Sequence, residues 1–264
     1  KTQLGYAIYD PETVSFSETV EKLLPNTEVP GYQIEKVLKG NNSEYYFLRA
    51  DHGIIIYNEQ TKVSKTYSYI KGDTTSLHAI DVADIALDER GDLWIAYLNG
   101  WVEQFDTRTH KVIYRATPLY NMVAGKKPAK YQIFIDQQQD IWLFAANSDG
   151  LYFYSPSGNI SKHFYKDAPE NKLYANVVNN VIQDQRGNIW IATDPGGVHI
   201  LDKSNFHIRN VIRDELNPNS LSQNSITTVY GDSTGMIWLG TYKKGINYYY
   251  PGIFKFPLYR HTPL

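Results

Sequence analysis

The chain has 264 residues, of which 42% are hydrophobic and 20% charged, and its formal net charge is −2. This is an ordinary globular composition, and the small net charge excludes a general attraction to nucleic acid or to an anionic membrane surface. Cysteine is absent, which excludes disulfides, thiolate metal sites and cysteine nucleophiles.

The predicted elements are short β-strands along the whole chain, with no helix between the groups. Residues 1–25 are predicted as a half-unit of two strands, in Gly5–Asp10 and Val14–Thr19. Five full units follow, at about residues 31–72, 80–117, 130–167, 174–214 and 221–260. Residues 177–214 are typical of these units, because four runs of alternating side chains are separated by turns rich in Asp, Asn, Gly and Pro.

An aspartate and a tryptophan recur together in four of the units. Each tryptophan follows its aspartate by six residues, and successive pairs are 48 residues apart: Asp88 and Trp94, Asp136 and Trp142, Asp184 and Trp190, Asp232 and Trp238. A fixed period of this length indicates a repeat architecture, and four short antiparallel strands per repeat are typical of a propeller blade. The sequence therefore predicts an all-β fold, a β-propeller section of about five full blades plus a half blade. Because the chain holds about five and a half periods, we expect more blades upstream in the intact protein.

Both recurring residues are interpreted as structural. The aspartate is expected to accept N–H groups of a tight turn, in which a glycine supplies positive φ. In the strand that follows, Trp190 and Ala192 share one face because side chains alternate along a strand. A bulky indole beside a small residue lets neighbouring sheets interlock, so we place the four tryptophans in the core.

Two units depart from the pattern. In the third full unit, Gln139 stands where the others have glycine, which predicts a turn that is either strained or differently shaped. In the first full unit, we align Phe47 with the tryptophan and Gly40 with the aspartate. A second recurring pair, an aromatic or apolar residue followed by Asp or Asn, is found at Tyr9-Asp10, Tyr57-Asn58, Phe105-Asp106 and Leu201-Asp202.

Two segments resemble a known repeat family. Asp184–Thr193, and Asn219–Ile226 followed by Asp232–Thr241, are similar to the two-component regulator propeller repeat. The run Lys244–Pro251, followed by Phe254–Phe256, is similar to the end of the first propeller in hybrid two-component sensors.

This resemblance implies a role for the chain. It implies a section of a seven-bladed propeller in the periplasmic sensor region of an inner-membrane histidine kinase that controls polysaccharide utilisation. Such a receptor has two propellers and a small β-sandwich before the membrane span. Its partners would be an oligosaccharide ligand, the remaining blades, the second propeller, and a second copy in a homodimer. This segment would then bind or transmit without catalysis, and it would need no cofactor and no metal.

The loops between second and third strands are the predicted ligand-binding places, because they vary while the strands repeat. In a propeller these loops lie on the same face as the connections between blades. The predicted ligand-binding residues are Tyr97, Asn99, Trp101, Asn147, Asp149, Asp194, Tyr242 and Lys243. The longest connection, Ala116–Lys130, is interpreted as a cap on the ring, a contact with a second propeller, or a solvated loop.

Trp101 is the one tryptophan outside the 48-residue register. An indole beside Asn99 and Tyr97 suits stacking on a sugar ring while the amide bonds to hydroxyl groups. The alternative interpretation is that Trp101 only fills an interface between blades. Lys243 and Lys244 suit an anionic sugar, or they simply add solubility.

Other classes of function stay open at this stage. A propeller lyase or hydrolase is the first, although the sequence has no H-x-H, H-E-x-x-H or G-x-S-x-G motif and its acidic residues recur mainly at turns. A protein-interaction scaffold is the second, and no residue argues against it. Nucleic-acid binding is not expected, because Lys and Arg total 26 against 28 Asp and Glu.

Overall fold

The structure is a computed structural model, and it describes residues 8–10, 14–17, 34–49, 52–145 and 149–250. The chain divides into two compact units, Lys1–Ala129 and Lys130–Leu264. The prediction that the whole chain is a single section with the blade boundaries given above stays a prediction.

The first unit contains a hairpin, two four-stranded sheets and a short helix. The hairpin pairs β1 (Ile8–Asp10) with β2 (Ser15–Ser17). Sheet 1 consists of β3 (Ile34–Lys39), β4 (Glu44–Arg49), β5 (Gly53–Asn58) and β6 (Val63–Tyr67). Sheet 2 consists of β7 (Val82–Leu87), β8 (Leu93–Tyr97), β9 (Val102–Asp106) and β10 (Lys111–Arg115), and α1 (Thr117–Val123) follows it.

The second unit contains three sheets. Sheet 3 consists of β11 (Gln132–Ile135), β12 (Ile141–Phe144), β13 (Leu151–Ser155) and β14 (Ile160–Phe164). Sheet 4 consists of β15 (Val177–Gln183), β16 (Ile189–Asp194), β17 (Gly197–Leu201) and β18 (Ile208–Val211). Sheet 5 consists of β19 (Ile226–Gly231), β20 (Ile237–Thr241) and β21 (Ile246–Tyr249). The rest of the predicted unit 221–260, beyond Tyr250, lies outside the described residues.

Strands pair antiparallel in chain order within every sheet, from first to last. The predicted all-β class is therefore confirmed. The prediction that no helix lies between units is wrong in one place, since α1 follows sheet 2. Leu119 and Val123, four residues apart, bury one side of this helix, and Pro118 is tolerated in its first turn. No helix in the described part of the chain is long and apolar enough to span a bilayer.

The recurring aspartate closes the turn between the first and second strands of sheets 2 to 5. Its Oδ1 accepts the N–H groups two and four residues later; for Asp184 these are Arg186 and Asn188, both at 2.9 Å. Its Oδ2 accepts the indole N–H of the tryptophan, at 2.8 Å for Trp190 and 3.0 Å for Trp94. One carboxylate thus fixes the turn and orients the indole of the next strand.

Three of the four indoles lie in the core and one does not. Trp142 packs among residues of sheets 3 and 4, and Trp190 contacts Tyr249 of sheet 5 with ring centroids 5.1 Å apart. Trp238 is 38% exposed, against 3% for Trp94. The placement of Trp238 in the core is therefore wrong in this structure, because no described sheet follows sheet 5 to cover it.

Gln139 makes the same turn as the glycines. Its φ is +66°, close to the +84° of Gly187, and its N–H still bonds to the carbonyl of Asp136 at 2.9 Å. The turn therefore has the same shape as in the other sheets. It is strained because a residue other than glycine adopts positive φ there.

In sheet 1, Tyr46 and not Phe47 takes the tryptophan position. Tyr46 pairs with Leu38 as Trp94 pairs with Ala86. Its side chain packs against sheet 2, whereas Phe47 belongs to a separate cluster with Ile55 on the opposite face. The alignment with Phe47 was one residue out of register, and a one-residue shift moves a side chain to the other face of a strand.

Candidate functional site

Loops between second and third strands lie against the connections between sheets in both units. The N–H of Gly53 bonds to the carbonyl of Ile80 at 3.2 Å, and that of Gly197 bonds to Asn224 at 2.8 Å. The predicted ligand-binding loops and the connections therefore form one continuous surface within each unit.

Trp101 lies in an aromatic cluster on this surface of the first unit. Its ring stacks on Tyr120 of α1, with centroids 4.4 Å apart and an interplanar angle of 11°. His78, from the connection between sheets 1 and 2, contacts it at 5.0 Å. Asn99 accepts the backbone N–H of Trp101 at 3.1 Å. We call His78, Asn99, Trp101 and Tyr120, which are all partly exposed, the Trp101 cluster.

Tyr97 supports the Trp101 cluster from the interior. It is fully buried, and its hydroxyl donates to Glu103 Oε2 at 2.6 Å. Burial and the adjacent Glu103 carboxylate raise the pKa of Tyr97 well above its ordinary value, so the phenol stays protonated. Tyr97 therefore has no exposed surface to offer a ligand.

Glu103 is a buried hydrogen-bonding residue beneath the cluster that sequence reasoning missed. It is fully buried and also accepts the backbone N–H of His78 at 3.0 Å and Arg115 Nε at 2.6 Å. Arg115 in turn donates to the carbonyls of Thr74 and Ser76. This network ties the connection that carries His78 to the third strand of sheet 2.

The same anchoring position recurs in sheets 4 and 5. His199 Nε2 accepts the N–H of Tyr174 at 2.8 Å, and Asn247 Oδ1 accepts the N–H of Ser222 at 3.2 Å. In all three sheets the acceptor is fully buried and lies 25 residues after the donor. The sequence carries a signal for this anchor, since Glu103, His199 and Asn247 are polar residues separated by multiples of the 48-residue period.

His199 must be neutral to act as an acceptor. Burial lowers its pKa from 6.5 to about 4, only partly offset by a hydrogen bond to the backbone of Ile191. Because Nε2 accepts the N–H of Tyr174, the proton of the neutral ring lies on Nδ1.

Of the other predicted residues, Asp149, Tyr242 and Lys243 lie in the loops of their own sheets in the second unit. The Asp149 carboxylate accepts the Tyr152 hydroxyl, and Asp194 ends β16. Lys243 Nζ lies 5.0 Å from the ring centroid of Tyr242, whose exposed fraction is 64%. Asn147 lies outside the described residues. The structure thus places Asn99 and Trp101 in one cluster and Tyr242 beside Lys243 in the other unit, whereas the prediction that Tyr97 contacts a ligand is wrong because its side chain is fully buried.

These features define a repeat protein of antiparallel sheets whose variable loops and connections share one surface. Residues 175–194 and 220–243 match the family model described as the two component regulator propeller. The resemblance predicted from the sequence is therefore confirmed for these two segments.

Solved structures share the fold. The extracellular domain assigned to the hybrid two component system BT3049 from B. thetaiotaomicron has a TM-score of 0.60 and 20% identity, covering 94% of this chain and 37% of that chain. The corresponding domain of BT4673 from the same organism has a TM-score of 0.65 and 17% identity. The match covers 94% of this chain and 30% of that chain. Virginiamycin B lyase from Staphylococcus aureus has a TM-score of 0.59 and 12% identity. The match covers 92% of this chain and 72% of that chain.

At these identities the likeness shows the fold, which is a β-propeller section as predicted. The chain spans about a third of the length of the two extracellular domains. No curated protein matches it.

Proposed function

We propose that this chain is a non-catalytic, ligand-sensing propeller section of a hybrid two-component receptor, and that it binds an oligosaccharide. The matched repeat family and the likeness to extracellular domains of such systems support an extracytoplasmic sensor. The periplasm is the compartment that we propose.

The Trp101 cluster is the observation that carries the ligand-binding part of this proposal. A stacked indole and phenol, an amide and an imidazole lie together, partly exposed, at the junction of a variable loop, a connection and a helix. Aromatic faces with adjacent polar groups suit a sugar, which presents an apolar C–H face and a rim of hydroxyl groups.

The anchor at Glu103 explains how binding would be transmitted. The connection that carries His78 is held to the third strand of sheet 2 by hydrogen bonds to the buried Glu103, so a ligand that moves His78 acts on a rigid sheet and not on a free loop. We further propose that the partners are the remaining blades, a second propeller and a second copy of the receptor. A signal then requires that the ligand bind one receptor arrangement more tightly than another.

Isothermal titration of the chain with oligosaccharides of several backbone types tests the proposal. We expect saturable binding of at least one type without cleavage, and a loss of about tenfold or more for Trp101→Ala. Tyr230→Ala is the matched control, because Tyr230 is an exposed aromatic residue outside the cluster.

Each alternative has its own outcome in this experiment. Cleavage products, resolved by chromatography, would contradict the non-catalytic role and favour the lyase or hydrolase class. Absence of heat with every oligosaccharide would favour a protein-interaction scaffold.

A further inference from the structure

A cavity of about 320 Å³ lies between sheets 1 and 2, and Trp101 is not part of its lining. Its walls come from β6, from the connection to sheet 2, and from β9 and β10. Lining residues that carry the argument are Lys65, Tyr67, Asp73, Phe105, His110 and Lys111. We call this space the intersheet cavity; its volume is at the lower end of small-molecule sites.

A chain of polar groups orients the hydroxyl of Tyr67 in this cavity. Tyr67 Oη lies 2.6 Å from His110 Nδ1, and His110 Nε2 lies 3.4 Å from Oε1 of the buried Glu44, an electrostatic contact without hydrogen-bond geometry. A carboxylate favours the ring proton on Nε2, so Nδ1 accepts and the Tyr67 hydroxyl donates. Burial and the charge of Glu44 raise the pKa of Tyr67, so the phenol keeps its proton. The lone pairs of Tyr67 Oη are then free to accept a hydrogen bond from a ligand.

Two ammonium groups that form no ion pair line the cavity. Lys65 Nζ lies 4.9 Å from the ring centroid of Tyr67, and in the described part of the chain the ammonium groups of Lys65 and Lys111 form no hydrogen bond and no ion pair. The one carboxylate of the lining, Asp73, already accepts the N–H and hydroxyl of Thr75, at 2.8 and 2.7 Å. These bonds and, more weakly, the charge of Lys111 hold the pKa of Asp73 low. The cavity therefore has one more positive than negative charge.

We propose that the intersheet cavity binds a small hydroxylated carboxylate, such as a one-ring sugar acid. The carboxylate would lie at Lys65 and Lys111, and a hydroxyl of the ligand would donate to Tyr67 Oη. The ring of Phe105 supplies an apolar wall for the C–H face of the ligand. This site is independent of the oligosaccharide binding proposed for the Trp101 cluster.

Isothermal titration of the chain with glucuronate, and with glucose as the uncharged counterpart, tests this site. We expect saturable binding of glucuronate at least about tenfold tighter than that of glucose. Lys111→Met should weaken glucuronate binding by about tenfold or more, and Tyr67→Phe by a smaller factor. Lys71→Met is the matched control, because Lys71 is an exposed lysine of the same connection that does not line the cavity.

Thermal unfolding of each variant separates lost binding from lost folding, and Lys65→Met replaces Lys111→Met if the latter does not fold. Trp101→Ala should leave glucuronate affinity unchanged, which keeps this test distinct from that of the Trp101 cluster. The proposal is overturned if glucuronate shows no saturable binding, if glucose binds equally well, or if Lys71→Met and Lys111→Met have equal effects.

Discussion

Sheets 1 and 4 have the same strand order but close their first turns with different residues. In sheet 4, Asp184 accepts two turn N–H groups and the Trp190 indole. In sheet 1, Gly40 replaces the aspartate, and the hydroxyl of Tyr46 donates instead to Glu44 Oε2 at 3.0 Å. A β-carbon at Gly40 would lie 2.7 Å from Tyr46 Cε2, so any other residue there would force the Tyr46 ring to move. The repeat therefore conserves a geometry, a large side chain tied to the preceding turn, and not a residue pair.

The two sheets also differ in the third strand. Ile55 pairs with Phe47 as His199 pairs with Ile191, so an apolar residue of sheet 1 occupies the anchoring position of sheet 4. Sheet 2 has Glu103 at this position. The residue at the anchoring position is thus charged in sheet 2, neutral and polar in sheet 4, and apolar in sheet 1.

The largest expected effect is at Glu103. Glu103→Ile gives sheet 2 the residue of sheet 1 and should lower the free energy of unfolding by about 3–5 kcal/mol, because the partly buried Arg115 and the hydroxyl of Tyr97 lose their acceptor. Ile55→Leu is the control and should cost less than about 1.5 kcal/mol. Urea denaturation measures both. A cost for Glu103→Ile no larger than that of the control would show that the anchor is dispensable.

The next largest expected effect is a pH dependence of the stability that comes from His199 in sheet 4. The pKa of His199 is lowered in the folded state, so its contribution to stability is fully present above pH 6.5 and is lost as the pH falls toward 4. The loss should reach about 3 kcal/mol at the lower limit. His199→Asn, which copies Asn247 of sheet 5, should keep the acceptor for Tyr174 and flatten this part of the stability curve. Equal slopes for the two proteins between pH 6.5 and 4 would contradict the assignment.

A reciprocal exchange tests the two turns directly. Asp184→Gly should cost about 2–3 kcal/mol, because the buried indole N–H of Trp190 loses its acceptor. Gly40→Asp should also destabilise, by about 1–3 kcal/mol, since the new side chain collides with Tyr46. Denaturation midpoints report both changes. A stabilising Gly40→Asp would mean that Asp fits any repeat and that the steric argument is wrong.

The smallest expected effect concerns Gln139. Gln139→Gly should raise stability by up to about 1 kcal/mol by relieving a non-glycine residue at φ +66°, and Gly187→Gln should lower it by about 1–2 kcal/mol. Thermal unfolding of the two variants gives the comparison. Stability changes of the same sign in both would be inconsistent with strain at this turn.

Much of the fold was readable from the sequence because its signals are local and repeated. The Asp–Trp pairs gave the period, and alternating side chains gave the strands of sheets 2 to 5. The register of sheet 1 was misread because the pair is replaced there, leaving Tyr46 and Phe47 as adjacent aromatic candidates. The helix α1 was missed because seven residues carry only one short apolar repeat, Leu119 and Val123.

The candidate site was only partly readable. Trp101 and Asn99 were identified from the sequence because they differ from the residues at the same positions of other units. His78 and Tyr120 were not identified, because they lie in a connection and a helix outside the loop that contains Trp101. The intersheet cavity was not visible at all, because Glu44, Tyr67 and His110 lie up to 66 residues apart.

By itself the sequence determined the class of fold, the repeat length and the family of the repeats, since each is written in residues that recur at fixed spacing. Tertiary structure alone decided which tryptophan stays exposed, which buried groups hold the connections, and which of the described lysines form no ion pair. Those properties depend on which residues of other strands pack against a given side chain. The spacing of residues along the sequence does not specify those neighbours.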